Sequence, residues 1–154
     1  METAKIAAAV AAMDTTNTAA IEEAWAKLRP LGPAVLPFFT DAYPRTKRAQ
    51  GRTAILFHAT RWARSSDLAF RLGLLGINDR ATLARYRACG ILAYSLRPDA
   101  LPSLHGLLSH PDPKTVEDAK AAIRAIEQAN HHYFVDRELT GRSLWHVNDG
   151  DTPT

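Results

Sequence analysis

Cysteine is almost missing from this chain, and long apolar runs are missing altogether. The single cysteine, Cys89, has no second thiol to bridge, so a packed core must hold the fold in place of a disulfide framework. No apolar stretch approaches the ~20 residues that a membrane-spanning helix needs. Residues 6–13 are too short for a signal peptide and lack its positive start. These absences predict a cytoplasmic protein without a membrane partner.

Sequence motifs of catalysis are also absent. The chain has no glycine-rich phosphate loop, no nucleophile-elbow sequence and no Cys-x-x-Cys pair. One group of side chains could hold a metal, and it consists of His131, His132, Asp136 and His146. Adjacent histidines on a strand point to opposite faces, so at most one of the first two could join the others. We therefore predict a protein that is not an enzyme and carries no cofactor, while metal binding by these four residues stays open.

What the chain does contain is an internal repeat. A shift of 65 residues aligns residues 31–44 with residues 96–109, and a shift of 33 places Asp112 on Asp79. A fixed period of this length is typical of helical solenoids, in which each unit buries its apolar face only by stacking on its neighbours. At 154 residues and 46% hydrophobic content, the chain is long enough for one domain of this kind.

Apolar periodicity and turn residues predict eight helices, and no strand is indicated before residue 132. Residues 2–13 form the first helix, and Asn17 or Thr18 caps the second. Three pairs follow, each joined by a short turn that makes its two helices antiparallel. The pairs cover roughly residues 33–43 and 46–62, 66–77 and 80–96, and 99–109 and 114–130.

A recurring motif runs through these pairs: leucine-proline in the first helix, an aspartate in the turn, and a hydrophobic residue followed by small residues. It is clearest from Asp112 through Val116 to Ala122. The motif resembles that of the HEAT and HEAT-like repeat family and covers residues 31–130, with residues 1–30 as a divergent capping repeat. The resemblance implies an all-α, right-handed α-α superhelix of about three to four helix pairs. It says little about activity, because such arrays serve as scaffolds, inhibitors, nucleic-acid binders and occasionally enzymes.

Residues 132–147 depart from the repeat. Two runs rich in aromatic and β-branched residues flank Leu-Thr-Gly, and Gly141 can adopt a positive φ, which together predict a short C-terminal β-hairpin. Phe134, Leu144 and Trp145 would cap the apolar end of the solenoid; alternatively, the hairpin supplies a binding loop at the edge of a groove. The single domain then comprises residues 1–147, with repeats at 1–30, 31–65, 66–98 and 99–130, and residues 148–154 form a disordered tail.

Positive charge is concentrated in one segment. Residues 45–97 hold eleven basic residues against two acids, although the whole chain carries a net charge of only +3. Helical spacing places Arg45, Arg48 and Arg52 on one face, and Arg80 and Arg87 on one face of the next pair's second helix. The resemblance implies that these second helices line a concave surface, where the two arginine stripes would form a basic groove. The predicted partner-binding residues are Arg45, Arg48, Arg52, Trp62, Arg80, Arg87, Arg137 and Arg142.

A structural role is the alternative for part of this set. In HEAT arrays arginines and turn aspartates often form an internal ladder, and Arg80 or Arg87 could pair with Asp79 or Asp112 in that way. Two local acids cannot neutralise eleven cations. A surplus must therefore face solvent or an acidic partner.

Two classes of acidic partner fit such a surplus. The first is a protein, which makes the chain a non-catalytic protein-binding module; an immunity or antitoxin-like inhibitor is a form suited to its size. The second is nucleic acid, because Trp62, Tyr86 and Tyr94 lie among the arginines and bases stack on such rings. The resemblance extends to HEAT-like alkylpurine DNA glycosylases, which hold DNA in a basic concave groove, but no catalytic aspartate between aromatic residues matches theirs. We expect the acidic protein.

Overall fold

All regular secondary structure in the described part of the chain is helical. The computed structural model describes residues 1–151, which form eight α-helices joined by short turns and 3₁₀ segments and contain no β-strand. The predicted all-α class is therefore confirmed. The helices are α1 (Thr3–Ala11), α2 (Thr18–Leu28), α3 (Leu36–Ala42), α4 (Ala49–Ala59), α5 (Asp67–Gly76), α6 (Thr82–Ser95), α7 (Leu101–Leu107) and α8 (Pro113–Glu127). Within these residues no helix has the length and apolar content needed to cross a bilayer.

The helices begin and end at residues that suit those positions. The Asn17 side chain accepts a hydrogen bond from the Ala20 backbone at 3.2 Å and caps α2 as expected. Asp112 caps α8 in the same way, accepting from the Lys114 backbone at 2.9 Å, with a proline at the first helical position. Between α2 and α3, Gly32 takes a φ of 61°, which separates the two helices.

The helices pack in two rows. Helices α2, α4, α6 and α8 contact one another in succession, and α1, α3 and α5 do the same in the second row. Contacts between the rows join α1 to α2, α5 to α6 and α7 to α8. Consecutive helices therefore pack together at α1–α2, α4–α5, α5–α6 and α7–α8, which is the packing that short connections favour.

Helix α6 lies at the centre of this arrangement. Ten of its fourteen residues are buried, because it packs against α4, α5, α8 and the C-terminal residues at once. Glycines on α5 allow the closest of these approaches. A Cβ atom at Gly73 would lie 2.7 Å from Cγ2 of Ile91, and one at Gly76 would lie 2.8 Å from Cβ of Ala88. Because these two glycines have no side chain, α5 can approach α6 this closely.

Buried arginines join successive turns of the helix pairs. Arg52 on α4 donates from Nε and Nη2 to the carboxylate of Asp79, at 2.8 and 3.2 Å, and from Nη1 to the carbonyls of Thr46 and Lys47. Only 8% of the Arg52 side chain and 4% of the Asp79 side chain is exposed. The Tyr43 hydroxyl donates a further hydrogen bond to Asp79. Most polar atoms of this buried pair are thus satisfied within the protein.

The same arrangement recurs one repeat later. Arg85 on α6 donates from Nη2 to Asp112 at 2.9 Å, from Nη1 to the Asp79 carbonyl at 2.8 Å and from Nε to the Thr115 hydroxyl at 2.8 Å. Arg52 and Arg85 are 33 residues apart, as are the two aspartates. The period visible in the sequence therefore corresponds to a ladder of ion pairs formed by buried arginines.

The predicted C-terminal β-hairpin is wrong. His131–Phe134 forms a 3₁₀ turn, and no strand follows it up to residue 151. The chain reverses around the buried carboxylate of Asp136, which accepts hydrogen bonds from the Thr140 backbone and hydroxyl and from the Gly141 backbone at 2.7–3.0 Å. Because the Asp136 carboxylate accepts all of these hydrogen bonds, the chain can reverse direction without backbone hydrogen bonds between paired strands. Gly141 does adopt the expected positive φ, at 73°.

The aromatic residues of the C-terminal segment, which comprises residues 131–151, pack on the helices. Phe134 stacks on Tyr86 of α6 with ring centroids 5.5 Å apart, and Trp145 lies 5.2 Å from Phe134. Leu144, which was expected to join them in a cap, is exposed. The segment contacts α8, α6 and the end of α4, so it crosses three helices instead of covering the last one.

Disorder is predicted from residue 148, but the structure holds the chain in place up to residue 151. Asp151 accepts hydrogen bonds from the Tyr94 hydroxyl at 2.8 Å and from the Val147 and Asn148 backbones at 2.9 and 2.7 Å. The Asn148 amide donates to the Arg61 carbonyl at 2.8 Å. The rest of that prediction, residues 152–154, lies outside the described residues.

Candidate functional site

The cations of residues 45–97 divide into two groups. Six have a carboxylate within 4.0 Å, and they are Arg45, Arg52, Arg64, Arg71, Arg85 and Arg97. The other five have none among residues 1–151, and they are Lys47, Arg48, Arg61, Arg80 and Arg87. Neither Arg80 nor Arg87, the suggested members of an internal ladder, is paired. The surplus of unpaired cations lies in two places.

The first place is the edge formed by the turns that precede α4 and α6. We define the basic edge as Arg45, Lys47, Arg48 and Arg80, all of which are exposed. Arg45, Lys47 and Arg80 line a groove of about 470 Å³, and the buried Asp79 forms part of its wall. The basic edge is thus a concave, solvent-facing surface with an excess of positive charge.

The carboxylates near the basic edge are already engaged. Asp14 accepts hydrogen bonds from the backbones of Arg48 at 2.8 Å and Lys47 at 3.2 Å, and these bonds hold the pKa of Asp14 below its usual value. Asp41 pairs with Arg45 one helical turn away, but both side chains are exposed and such a pair is weak. The head groups of Lys47 and Arg48 therefore remain available to a partner.

The predicted arginine stripes are not formed. Arg45 lies in a 3₁₀ turn and Arg48 caps α4, so both precede the helix that contains Arg52. Arg80 likewise precedes α6, whereas Arg87 lies within it. Helical spacing places residues on a common face only when all of them are helical. The helix boundaries therefore separate residues that the sequence pattern grouped.

Two of the predicted partner-binding residues have internal roles. Arg52 is buried in its ion pair with Asp79. Arg137 donates to Asp118 of α8 at 3.2 Å, which ties the C-terminal segment to that helix. Burial removes Arg52 from the predicted partner-binding set, whereas Arg137 is exposed and its contact with a partner remains a prediction. Arg142 is exposed and remains a prediction.

The second group of unpaired cations includes Arg87. Its guanidinium carbon lies 4.6 Å from the ring centroid of Phe57 and 5.1 Å from that of Tyr86. Its Nε atom is buried, and no hydrogen-bond acceptor in the described residues reaches it. A guanidinium held over aromatic rings keeps its N–H edge free for an anion.

Arg61 lies in the same part of the protein as Arg87, because both arginines line one pocket. Its guanidinium carbon is 5.1 Å from the Trp25 ring and 5.5 Å from the Trp62 ring. Burial, together with the charge of Arg29, lowers the pKa of Arg61. Trp62, a predicted partner-binding residue, is half-buried against the core and supports Arg61.

A pocket of about 250 Å³ separates the two arginines from the C-terminal segment. We call it the arginine–aromatic pocket, and none of its lining residues is acidic. The lining residues are Phe57, Thr60, Arg61, Tyr86, Arg87, Gly90, Phe134, Trp145, His146 and Val147.

The pKa of His58 reflects the charges of the two pocket arginines, Arg61 and Arg87, as well as its own burial. Its ring stacks on Trp25 at 3.9 Å, and its Nδ1 atom is buried without a hydrogen-bond partner in the described residues. Burial first, and then the charges of Arg61 and Arg87, lower the pKa of His58 to about 3. The buried site therefore disfavours a charged imidazole, and the two nearby arginines act in the same direction.

The candidate metal-binding residues are occupied by other contacts. His131 contacts the Arg64 guanidinium through Nδ1 at 2.8 Å and the Trp145 carbonyl through Nε2 at 2.9 Å. His132 Nδ1 accepts from the Trp145 backbone at 2.8 Å, and Asp136 is engaged in the loop described above. Among residues 1–151 no group of three or more histidine, cysteine or acidic side chains could hold a metal ion.

Sequence reasoning missed several residues of this second site. Arg61 was one of eleven cations with no feature to distinguish it except its neighbour Trp62. Trp145 and His146 come from a segment more than fifty residues away from Arg87 in the chain. No local pattern could indicate that they lie on one pocket.

No family model, curated protein or solved structure matches the chain.

Proposed function

We propose that this protein is a non-catalytic binding module, a right-handed HEAT-like solenoid whose basic edge engages an acidic partner protein. The observation that carries the proposal is the set of cations in residues 45–97 without a carboxylate partner, three of which lie on the basic edge. The ladder with a period of 33 residues supports the solenoid.

Charge complementarity defines the partner. Asp14 and Asp41 lie near the basic edge but form no ion pair with Lys47, Arg48 or Arg80, so these three head groups are left to a partner. A cluster of aspartate or glutamate side chains on another protein would neutralise it and accelerate association. An inhibitor that covers an acidic surface of its target is one biological form of such a module.

Nucleic acid fits less well. Binding to single strands relies on aromatic rings that are open to successive bases. Here Tyr86, Phe134 and Trp145 pack against one another around a single pocket of about 250 Å³, which has room for one ring but not for successive bases. The unpaired cations also fall into two separate groups instead of one track along a backbone.

The proposal is tested by reversing charge on the basic edge. A triple variant with Lys47→Glu, Arg48→Glu and Arg80→Glu is compared with a control that carries Lys5→Glu, Lys27→Glu and Lys114→Glu, whose exposed lysines lie elsewhere. Binding of a fluorescent polyglutamate peptide at low salt is measured by anisotropy. The edge variant should lose about tenfold or more in affinity, since each exposed contact contributes ~0.5–1 kcal/mol.

The control should stay within about threefold of the wild type, because its lysines lie away from the basic edge although its net charge changes by the same amount. Equal losses in the two variants would show that only net charge matters, which contradicts a defined basic edge. Random duplex and single-stranded DNA form the second arm of the titration. If DNA binds more tightly than polyglutamate, with a steep salt dependence, the partner is nucleic acid and the proposal fails.

A further inference from the structure

We propose that the arginine–aromatic pocket binds a small aromatic anion, a ligand with one planar ring and one carboxylate or phosphate group. The pocket shares no residue with the basic edge. The inference therefore goes beyond binding of an acidic protein and does not depend on it.

The Arg87 guanidinium lacks an acceptor that a buried donor normally has. Within residues 1–151 the Nε of Arg87 is buried with no hydrogen-bond partner, and neither Arg61 nor Arg87 forms an ion pair. Buried side-chain donors in folded proteins are nearly always paired, because an unpaired one lowers stability. An oxyanion in the pocket would supply the missing acceptor.

Aromatic contacts orient these donors. The guanidinium carbon of Arg87 lies 4.6 Å from the Phe57 ring centroid and 5.1 Å from that of Tyr86, and the N–H edge of the group is the part that can bind an anion. That edge carries the two parallel N–H groups that match a carboxylate or phosphate. The arrangement favours a planar or tetrahedral oxyanion over a neutral ligand.

The remaining walls suit a flat apolar ring. Phe134 and Trp145 lie side by side at 5.2 Å, and both come within 3.4–3.5 Å of where a Cβ at Gly90 would be. Because Gly90 has no side chain, the space beside the edges of these two rings stays unfilled, and a single apolar ring can pack there.

The volume limits the ligand further. At about 250 Å³, the pocket falls just below the ~300–1,000 Å³ that drug-sized ligands and cofactors occupy. A dinucleotide is too large, and a single inorganic ion would leave the aromatic walls uncovered. One ring with one anionic group fills the space and uses both kinds of wall.

The test is a titration with defined probes. Benzoate and phenyl phosphate represent the two anionic groups, while inorganic phosphate lacks the ring and benzyl alcohol lacks the charge. Binding is followed by calorimetry and by tryptophan fluorescence, since Trp145 lines the pocket. At least one aryl anion should saturate one site with a dissociation constant on the order of 0.1–1 mM. Each incomplete probe should bind about tenfold or more weakly.

Variants connect the binding to the pocket. Arg87→Met and, separately, Arg61→Met should weaken the aryl anion by about tenfold or more, whereas the exposed Arg80→Met should stay within about twofold. Circular dichroism and a urea titration establish that each variant is folded. If one of the two arginine variants does not fold, the other alone tests the proposal.

Three results would overturn the proposal: no aryl anion saturates a site below about 10 mM, the folded arginine variants bind as tightly as the wild type, or inorganic phosphate binds as tightly as the better of the two aryl anions. A difference between benzoate and phenyl phosphate identifies which anionic group the pocket prefers. Because the basic-edge charge reversals lie outside the pocket, loss of polyglutamate binding and loss of aryl anion binding can be told apart.

Discussion

Arginine has two different uses in this protein, and burial distinguishes them. Arg52 and Arg85 are buried and bonded to carboxylates and carbonyls, while Arg61 and Arg87 rest on aromatic rings without an anion. In the sequence all four are equivalent members of one basic segment. The first kind stabilises the fold, and the second kind is available for binding.

The buried ion pair gives the first prediction. Arg52→Ala leaves the carboxylate of Asp79 buried without its cation, and such a loss costs about 3–5 kcal/mol in the free energy of unfolding. Arg80→Ala removes an exposed cation from the same edge and should change stability by less than ~0.5 kcal/mol. Urea unfolding of both variants measures the difference. Similar midpoints would mean that Arg52 is not structurally important.

Histidine burial gives the second prediction. The unfolded chain protonates His58 near pH 6.5, but the folded protein resists protonation until about pH 3. Below pH 6.5 the unfolded state therefore binds more protons, and the free energy of unfolding should fall by about 1.4 kcal/mol per pH unit for this group. Burial, with His132 and Arg64, also lowers the pKa of His131, so it adds to the loss in the same direction.

Urea unfolding between pH 7 and pH 5 measures this slope above the range in which the aspartates with lowered pKa values contribute. Asp14, Asp67 and Asp99 have pKa values below 3.8, so their contribution is lost only at lower pH. His58→Phe keeps the stacking on Trp25 and removes the buried Nδ1, and it should flatten the slope without lowering stability at pH 7. An unchanged slope in that variant would assign the pH dependence to other groups.

At the scale of helices, local sequence signals determine most helix boundaries. The end of α8 is an exception, because the residue there does not favour the backbone conformation that it adopts. This end has the two hydrogen bonds of a Schellman motif, from Asn130 to the Ala125 carbonyl at 2.9 Å and from Ala129 to the Ile126 carbonyl at 3.1 Å. The residue at the left-handed position is Ala129, with a φ of 51°. Glycine is the residue that normally takes this conformation without strain.

The third prediction follows from that strain. Ala129→Gly should raise the free energy of unfolding by about 0.5–1 kcal/mol, because the exposed alanine loses no contact and the left-handed strain disappears. Ala8→Gly, at an exposed position within α1, should lower it by about the same amount. Thermal unfolding of the two variants checks the opposite signs. A decrease for both would show that Ala129 is not strained.

For the whole molecule, the C-terminal segment is the element that completes the structure. It crosses α8, α6 and the end of α4, and it supplies one wall of the arginine–aromatic pocket. Asp151 holds its last turn through Tyr94, Val147 and Asn148. A residue near the end of the chain thus influences a site built largely by α4 and α6.

The fourth prediction tests this influence. Asp151→Ala removes the acceptor of three buried or half-buried donors and should cost about 1–3 kcal/mol in the free energy of unfolding. Asp149→Ala, exposed and two residues away, should have little effect. Hydrogen exchange should accelerate at the backbone amides of residues 145–148 in the first variant only. Equal exchange in both variants would contradict the role of Asp151.

Much of the helical organisation was readable before any tertiary contact was known. Helix class, the cap at Asn17 and the 33-residue period all depend on residues close together in sequence or on a pattern that repeats along it. The surplus of cations in residues 45–97 was also visible, because it is a matter of composition. Such features follow from local backbone preferences, from the repeat pattern and from the number of charged residues in a segment.

The use of each cation was decided only by packing. Whether an arginine meets Asp79, as Arg52 does, or an aromatic ring, as Arg87 does, depends on side chains brought together from distant segments. The same holds for residues 132–147, where aromatic spacing suggested strands but the chain folds around Asp136 and packs on α6 and α8. Burial against helices already in place outweighs the weak preference of a short segment for a hairpin.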